Sequence, residues 1–397
     1  MNTSETARPA PQGNFLEVYN SVQGAGFFQR LLSEWRLAGN CLIAHEAISE
    51  ADYRVHRGRF GRMALRWHMY GGYAIACWRA ARKRHLRQSV RVVTTNPFFA
   101  PALVKWTGGA RGWTVNLLYD LFPDALVQSG AIKSGSWLAR RCAALTRFSL
   151  RECDATVFLG ERLRRHAETM YGPARRAVVI PVGADGAPFR NCPPQSLAQG
   201  TAPTILYSGQ LGRMHETQTL RACWRQGMSG EVLWSFHASG NQYAEFRKSC
   251  AEVANVVWGG PLHETTWQDA MKRAQVALVS IASGAERVVM PSKTYSALVA
   301  GQAILAICRR DSDLADLILK HDCGWVVEPG DVDGLRRAVS EIAGNPDELF
   351  AKRTNAYEAG HRCYDMTPIA EQWRRLFGDL TGKPAIAETG RPDCQAA

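Results

Sequence analysis

The chain has 397 residues, more than one ordinary hydrophobic core holds, so two domains of about 180 residues each are expected. With 48 Lys and Arg against 36 Asp and Glu, its formal net charge is +12, which favours an anionic partner. No apolar run reaches the ~18 residues of a membrane-spanning helix, and the polar residues 1–13 lack an export signal. Eleven cysteines without a Cys-x-x-Cys pair predict reduced thiols and a cytoplasmic location.

The first predicted elements are a strand over residues 15–19, a loop containing Gly24 and Gly26, and a helix over residues 27–38. Strand, glycine loop and helix in this order also begin a dinucleotide-binding fingerprint, but the third glycine and the following acidic residue are missing. The fingerprint is therefore disfavoured for this loop.

Residues 53–119 contain thirteen Lys or Arg and no Asp or Glu, so this segment carries all of the excess positive charge. Its apolar residues recur at helical spacing beside basic ones, at Met63, Trp67, Tyr70, Ala74 and Trp78. A basic amphipathic helix of this kind is typical of docking onto an anionic membrane surface. The predicted membrane-facing residues are Arg62, Arg66, Trp67, Tyr70, Trp78, Arg82 and Lys83.

Two alternatives remain for this basic segment. The apolar stripe could pack on the core and leave a solvated basic face, as an ordinary surface helix does. Nucleic acid is the other anionic partner, but it is disfavoured because no nucleic-acid-binding motif is present. Gly71 and Gly72 predict a break or kink in the helix.

The rest of the chain alternates predicted strands and helices, which indicates α/β architecture with parallel sheets and ligands at the carboxyl ends of the strands. Strands are predicted over 91–95, 114–119 and 155–159, and helices over 137–151 and 161–170. The Pro-rich residues 186–203 are the candidate linker. Beyond it, strands are predicted over 204–207, 231–236, 255–258, 276–280, 303–307 and 324–327, and a last helix over 366–377.

Two segments of the second half have the composition of an anion site. Pro291 suits a helix entry, Ser292 can cap the first turn, and Lys293 adds an ammonium, which together favour a phosphate. Upstream, Gly209 and Gly212 flank a turn that lets the backbone approach a diphosphate, with Arg213 as a bidentate partner.

Four segments carry a family resemblance: residues 178–185 (VVIPVGAD), 205–213 (ILYSGQLGR), 289–307 (VMPSKTYSALVAGQAILAI) and 311–331 (DSDLADLILKHDCGWVVEPGD). They resemble, in the same order, the retaining GT-B glycosyltransferases of the large family four, especially bacterial members that build cell-surface polysaccharides. The resemblance implies two Rossmann-like, doubly wound α/β domains that face a central cleft. It also implies that the loop with Gly24 and Gly26 faces this cleft on the acceptor side. The expected parts are an acceptor- and membrane-facing domain (1–185), a nucleotide-sugar domain (186–365), a crossing helix (366–381) and a flexible tail (382–397).

The resemblance also implies roles for particular residues. Many relatives carry two glutamates separated by seven residues, but here the second position holds Ser296 and the first Val288, so Glu286 is the candidate acid near the donor sugar. Asp120, which follows a predicted strand, is the candidate that orients the acceptor hydroxyl. The family pattern often adds a second cation after Arg213, and Lys293 is the candidate for it. No cofactor or metal is expected, since no acid pair has metal-ligand spacing.

The sequence thus predicts a cytoplasmic enzyme, peripheral on the inner face of the cell membrane, that transfers a sugar with retention from a nucleoside-diphosphate sugar to a lipid-linked acceptor. The alternatives are a nucleotide-sugar epimerase of the same fold and a non-catalytic protein that binds nucleotide sugars or serves as a membrane scaffold. The nucleotide base, the sugar, the linkage and the oligomeric state have no signature in the sequence.

Overall fold

The structure is a computed structural model that describes residues 15–35, 41–49, 59–82, 89–108, 112–198, 200–227 and 232–382. Its first half is a parallel sheet of six strands in the order β2-β1-β3-β4-β5-β6. The strands are β1 Phe15–Tyr19, β2 Cys41–His45, β3 Val90–Thr94, β4 Trp113–Leu118, β5 Ala155–Phe158 and β6 Ala177–Val179. The helices are α1 Ala25–Trp35, α2 Arg59–Trp67, α3 Tyr73–Ala81, α4 Ala100–Gly108, α5 Asp124–Gln128, α6 Trp137–Glu152 and α7 Glu161–Tyr171.

The second half is another parallel sheet of six strands, in the order β12-β11-β10-β7-β8-β9. Its strands are β7 Thr204–Gln210, β8 Leu233–Ser239, β9 Val256–Gly259, β10 Val276–Ser280, β11 Ala303–Ile307 and β12 Gly324–Val327. Its helices are α8 Gln218–Arg225, α9 Tyr243–Ser249, α10 Glu264–Arg273, α11 Lys293–Val299, α12 Asp313–His321, α13 Val332–Gly344 and α14 Pro346–Ala359. A final helix, α15 Met366–Thr381, follows.

This architecture confirms the predicted pair of α/β units with parallel sheets. Every residue of β3, β10 and β11 is buried, as expected for strands covered by helices on both faces. The bounds of β10, β11 and β12 coincide with the sequence prediction, because short apolar runs between turn residues mark such strands clearly. The sequence analysis missed β2 and β6, which lie at the two edges of the first sheet.

The chain passes twice between the two sheets. After β6 it reaches Ala184, which forms an isolated parallel bridge with Asp365 just before α15. Burial alone would raise the pKa of Asp365, but hydrogen bonds from His361, the Gly186 N–H and Arg190 lower it to about 2. The helix α15 then packs on α1, where the ring of Trp373 lies 5.3 Å from that of Phe28.

Within the basic segment, residues 59–81 form α2, a π-helical turn over His68–Gly72, and α3. The predicted break at the two glycines is therefore a widened helical turn. The face that packs on the first sheet and on α4 contains Met69, Tyr73, Cys77 and Ala81. It is not the predicted apolar stripe, and so the core-packing alternative is wrong for that stripe.

The stripe points to the surface. Trp67 is 75% exposed, while Tyr70 and Trp78 are each 41% exposed. Arg66 and Arg82 are exposed as well, and the Arg82 guanidinium lies 4.9 Å from the Trp78 ring centroid. The side chain of Arg62 and the whole of Lys83 fall outside the described residues. Within the described ranges, no helix combines the length and the apolarity needed to cross a bilayer.

Candidate functional site

Lys293, the first residue of α11, brings an ammonium to the carboxyl end of β7. Its Nζ lies 3.8 Å from the centroid of the Tyr207 ring, and a Cβ added to Gly209 would lie 4.0 Å from it. The Nζ atom is buried and has no hydrogen-bond partner within the described residues. Burial lowers the pKa of Lys293 to about 7. An ammonium group that is buried without a hydrogen-bond partner can pair with an anion that enters from the cleft.

Residues 209–213, called here the β7 turn, bring the backbone close to that ammonium. Gly209 has φ = +125°, a conformation that disfavours any side chain, so glycine is required at this point of the turn. A neighbouring glycine, Gly240, allows the turn after β8 to touch the backbone of Leu211, because a Cβ there would come within 2.6 Å of the Leu211 oxygen. The predicted diphosphate-binding glycine Gly212 donates its N–H to Nδ1 of His215 at 3.1 Å.

His215 occupies the stretch where the family pattern often has a second cation, but it does not supply one. Burial and the charge of Lys293 lower its pKa to about 4, so its ring is neutral near pH 7. Lys293, whose Nζ lies beside Gly209, therefore stays the candidate for the second positive charge near the β7 turn.

Arg213 and its surroundings join the two halves of the molecule. Its Nη1 donates a hydrogen bond of 3.0 Å to the carbonyl of Ser129, just after α5. One residue earlier, Gln128 donates through Nε2 to the carbonyl of Ser283 at 2.8 Å. A Cβ on Gly284 would come within 2.8 Å of the Gln128 side chain, so glycine permits this close approach. The segment that follows β4 thus touches both C-terminal loops that carry predicted site residues.

Asp120 begins that segment. It lies two residues beyond β4, and its backbone N–H donates to Oγ1 of Thr95 at 3.2 Å. Burial raises the pKa of its carboxyl group to about 6, and no described residue donates a hydrogen bond to that group. A carboxylate of this kind can accept a hydrogen bond from a hydroxyl group of a ligand.

Glu286 lies across the cleft, two residues beyond Gly284. It is only 5% exposed, and one carboxylate oxygen forms an ion pair with Nε of Arg309 at 3.2 Å. The other oxygen is buried and has no hydrogen-bond partner in the part of the chain that the structure describes. A polar atom in that state usually has a ligand or water as its missing partner.

The predicted cleft loop, residues 23–26, lines a cavity of about 610 Å³ between the two halves. Gly24 and Gly26 form one wall of the cavity, while Trp267 and Ser296 belong to the opposite wall. At the crossing between the sheets, Arg30 pairs with Asp185 at 3.3 Å. Trp267 and Ser296 also line a side pocket of about 50 Å³ that reaches Ser208 and Lys293. The cavity therefore leads toward the buried ammonium.

The start of α11 differs from the prediction. Ser292 is exposed, and its side chain makes no capping hydrogen bond, because the residue already has helical φ and ψ angles. The N–H groups of Thr294 and Tyr295 donate to the carbonyls of Pro291 and Ser292. This tight first turn uses two N–H groups that were expected to meet a phosphate, so Lys293 is the main anion-binding feature of this helix.

Three further features of the site escaped sequence analysis. Tyr207 is a buried strand residue whose ring faces the ammonium, and Trp267 belongs to a helix without any motif. The Ser129 carbonyl is a backbone group and leaves no side-chain signal at all. Within the described ranges, no group of three or more His, Cys, Asp or Glu side chains could hold a metal ion.

Comparisons with known proteins agree with this architecture. No protein-family model matches the chain. WbjE of Pseudomonas aeruginosa, described as a probable glycosyltransferase, is 24% identical over 240 residues, which are 57% of this chain and 59% of that protein. The chain thus matches less than two thirds of this relative's length.

Solved structures match over nearly the whole chain. Sucrose-phosphate synthase of Thermosynechococcus elongatus has a TM-score of 0.67 at 13% identity and covers 94% of this chain and 100% of its own. HepE of Anabaena, in complex with UDP, has a TM-score of 0.66 at 12% identity, with 92% and 100% covered. HepE has also been solved with UDP-glucose. This chain therefore has the two-domain GT-B fold that its sequence resembles, and it is similar in sequence to a protein described as a glycosyltransferase.

Proposed function

We propose that this protein is a retaining glycosyltransferase, which transfers a sugar from a nucleoside-diphosphate sugar to a lipid-linked acceptor in the synthesis of a surface polysaccharide or other glycan. The observation that carries the proposal is the buried Nζ of Lys293, which has no partner within the described residues and lies beside Gly209. A buried cation is costly unless an anion pairs with it. A diphosphate bound along the β7 turn would be that anion.

The comparisons support the same donor chemistry. The sequence relative WbjE is described as a probable glycosyltransferase, and HepE, which shares the fold, binds UDP and UDP-glucose. We therefore choose UDP as the first nucleotide to test. Ser296 lines the cavity where a donor would lie. A hydroxyl group would then stand where many members of the resembled family carry a glutamate.

In the proposed reaction, the bond between the anomeric carbon and the diphosphate oxygen breaks, and the acceptor oxygen bonds to the same face of that carbon. The leaving diphosphate takes the proton of the acceptor hydroxyl, so no strong base is needed. Lys293 and Arg213 would stabilise the charge that develops on the diphosphate. The Ser129 carbonyl engages one guanidinium nitrogen of Arg213, which leaves the others for a phosphate oxygen.

Asp120 and Glu286 would act on either side of the transferred sugar. With a pKa of about 6, Asp120 is largely ionised near pH 7 and can orient the acceptor hydroxyl by accepting its hydrogen bond. Glu286 would offer its unpartnered oxygen to a hydroxyl group of the donor sugar. Both remain candidates for catalytic residues.

The lipid acceptor and the membrane location are supported by the surface of the N-terminal half. Exposed aromatic side chains lie there among basic residues, in a segment without acids. This surface would hold the enzyme on the inner face of the cell membrane, peripherally, with the cleft open to a lipid diphosphate-sugar.

The first experiment measures thermal stabilisation of the full chain by UDP, GDP, ADP, dTDP, CMP and NAD. At a concentration tenfold above its Kd, one nucleoside diphosphate should raise the melting temperature by about 3 °C. Arg213→Ala should reduce this shift, whereas Arg225→Ala, at an exposed helix end away from the cleft, should keep it. Stabilisation by none of the diphosphates, or by NAD alone, would remove the donor from the proposal.

The second experiment separates transfer from the alternatives. The stabilising nucleotide is supplied as its sugar conjugate, with and without a lipid diphosphate-sugar acceptor. Transfer to the acceptor with retention, reduced in Asp120→Asn, supports the proposal. An epimerised sugar formed without acceptor would indicate an epimerase, and binding with neither transfer nor slow donor hydrolysis would indicate a non-catalytic protein.

A further inference from the structure

An open apolar groove of about 910 Å³ lies on the surface of the N-terminal half. One wall comes from α2, the π-helical turn and the start of α3, and the other from α4 and α6. Its aromatic and aliphatic lining includes Met63, Trp67, Tyr70, Leu103, Trp106 and Phe148. The volume falls in the range of sites that enclose small molecules, about 300–1,000 Å³.

Several large apolar side chains in the groove are exposed to solvent and do not pack in the hydrophobic core. Trp67 is 75% exposed, Trp106 73% and Met63 64%, although other residues of α3 and α4 pack normally on the sheet. A contiguous apolar surface of this kind on a folded protein usually marks a binding site. The groove is also shaped by the backbone, since a Cβ on Gly71 would come within 3.3 Å of the Trp67 ring.

The groove leads toward the cleft through a row of aromatic rings. The ring of Tyr70 lies 6.3 Å from that of Phe99, and Phe99 lies 5.5 Å from Phe98. Phe98 in turn lies 5.6 Å from Phe122, which follows Asp120 by two residues. An apolar path therefore connects the surface groove with the segment proposed to position the acceptor.

Charge around the groove selects the kind of apolar ligand. Among the described residues, Arg66 is the one charged residue that lines the groove. The segment of residues 53–119, which supplies most of the lining, has no acid. On α6, Arg141 lies one turn before Leu145 and two turns before Phe148, so it extends the same helix face. A neutral hydrocarbon would gain nothing from these cations, whereas a hydrocarbon chain with an anionic head would use both features.

We propose that this groove binds the hydrocarbon chain of the lipid-linked acceptor, with its anionic head beside Arg66 and its sugar toward Asp120. The inference rests on the proposed function and adds to it the place where the lipid is held. It differs from docking of a flat surface on a membrane, because one hydrocarbon chain enters the protein between the two walls of the groove.

The test uses alkyl phosphates of about eight to fourteen carbons as probes, at concentrations below those at which they form micelles. Binding is followed by the fluorescence of the groove tryptophans. If methylenes are buried, affinity should rise steeply with chain length, by about tenfold for two added methylenes. Ala74→Phe fills the groove and should weaken dodecyl phosphate binding by about tenfold or more. Ala76→Phe adds the same ring to an exposed position of α3 outside the groove and should leave binding unchanged.

Leu145→Trp fills the groove from the opposite wall and keeps the test independent of any local effect in α3. Affinity that does not depend on chain length would overturn the proposal, as would equal binding by the filled variants and Ala76→Phe. Binding of all variants to phosphatidylglycerol vesicles, without binding of monomeric dodecyl phosphate, would also overturn it in favour of a flat docking surface.

The nucleotide panel separates the two proposals. Retained stabilisation by a nucleoside diphosphate in Ala74→Phe and Leu145→Trp shows that these variants are folded. If no nucleotide binds the wild-type protein but alkyl phosphates bind the groove with the expected dependence on chain length, the glycosyltransferase proposal fails and the lipid site stands. If nucleotides bind and alkyl phosphates do not, the groove inference fails alone.

Discussion

Lys293 has a side chain that can carry a positive charge, yet it lies in a buried and largely apolar environment. Its ammonium is buried against the face of Tyr207, and the ring of His215, 6.3 Å from that of Tyr207, is neutral near pH 7. A cation–π contact offsets part of the lost hydration but not all of it. The protein therefore holds a destabilising charge at a position where a bound diphosphate would relieve it.

Replacement of this lysine should have opposite effects on the free and the bound protein. Lys293→Met keeps the apolar stem and removes the unpaired charge, so the melting temperature of the ligand-free protein should rise, by about 3 °C for about 1 kcal/mol. Stabilisation by the nucleoside diphosphate should fall to less than half. Differential scanning fluorimetry measures both, with Lys248→Met, an exposed lysine on α9, as the control. A lower melting temperature without ligand would contradict the account.

The pH dependence follows from the pKa of the same group. In the folded protein burial lowers it from 10.5 to about 7, so between these values the unfolded chain binds more protons than the folded one. The contribution of Lys293 to stability therefore increases as pH rises from 7 toward 10, and the advantage of Lys293→Met should shrink over that window. Chemical denaturation at a series of pH values tests this, and a constant difference would count against it.

Binding of a nucleoside diphosphate should also depend on the protonation of Lys293. A diphosphate favours the charged ammonium, so it should raise the pKa of Lys293 and cause proton uptake on binding above pH 7. Calorimetry at pH 8 in buffers of different ionisation enthalpy should detect that uptake in the wild-type protein. Its loss in Lys293→Met, with Lys248→Met unchanged, would assign the proton to this residue.

At the scale of elements, the site depends on how β7 ends. The strand carries Tyr207 into the core and ends at Gln210, one residue after Gly209, whose positive φ places the backbone beside Lys293 on α11. Because α11 follows β10, the neighbour of β7 in the sheet, residues about 80 positions apart along the chain meet there. The fold of the sheet, not local sequence, creates this contact.

Gly209→Ala tests the contribution of that turn. An alanine at φ = +125° is strained by about 1–3 kcal/mol, and its Cβ would stand 4.0 Å from Nζ, where a phosphate is proposed to bind. We expect a lower melting temperature and weaker nucleotide binding. Gly344→Ala, at the end of α13 with open space around the added Cβ, should change neither by much. Unaltered nucleotide affinity in Gly209→Ala would argue against a phosphate at this turn.

At the scale of the whole molecule, the two halves hold each other through helix ends. The carboxylate of Asp313 on α12 accepts hydrogen bonds from the N–H groups of Arg162 and Leu163, at 2.8 and 3.0 Å, and so caps α7 of the other half. Gly160 permits this approach, since a Cβ there would overlap the carboxylate. Arg162 also forms a bidentate ion pair with Asp316.

Removal of this cap should loosen the contact between the halves. Asp313→Ala should destabilise the protein by about 1–2 kcal/mol, as loss of a helix cap does, and lower the melting temperature by about 2–6 °C. Asp333→Ala, which breaks a surface pair with Arg336, should have an effect below about 0.5 kcal/mol. An equal loss in both variants, measured by urea unfolding, would mean that Asp313 has no special role.

Much of the fold was predictable because its signals are local. Buried parallel strands need continuous apolar runs, and turns need Gly, Pro, Asn or Asp, so β10, β11 and β12 could be bounded within the sequence. The exposure of the aromatic stripe around Trp67 could not be decided from the sequence alone. Helical periodicity showed that one face is apolar, but the face marked by Tyr73 and Cys77 is also apolar, and only packing reveals which of the two is covered.

The sequence by itself determined that this chain forms two parallel α/β units, that its positive excess lies in residues 53–119, and that Gly209, Arg213 and Lys293 carry the composition of an anion site. The tertiary structure decided that Lys293 is buried on Tyr207, that Arg213 binds Ser129 across the cleft, and that the aromatic stripe lines a groove. The physical reason is range: propensity and periodicity act over a few neighbouring residues, whereas burial, pKa shifts and cavities depend on side chains that only the fold brings together.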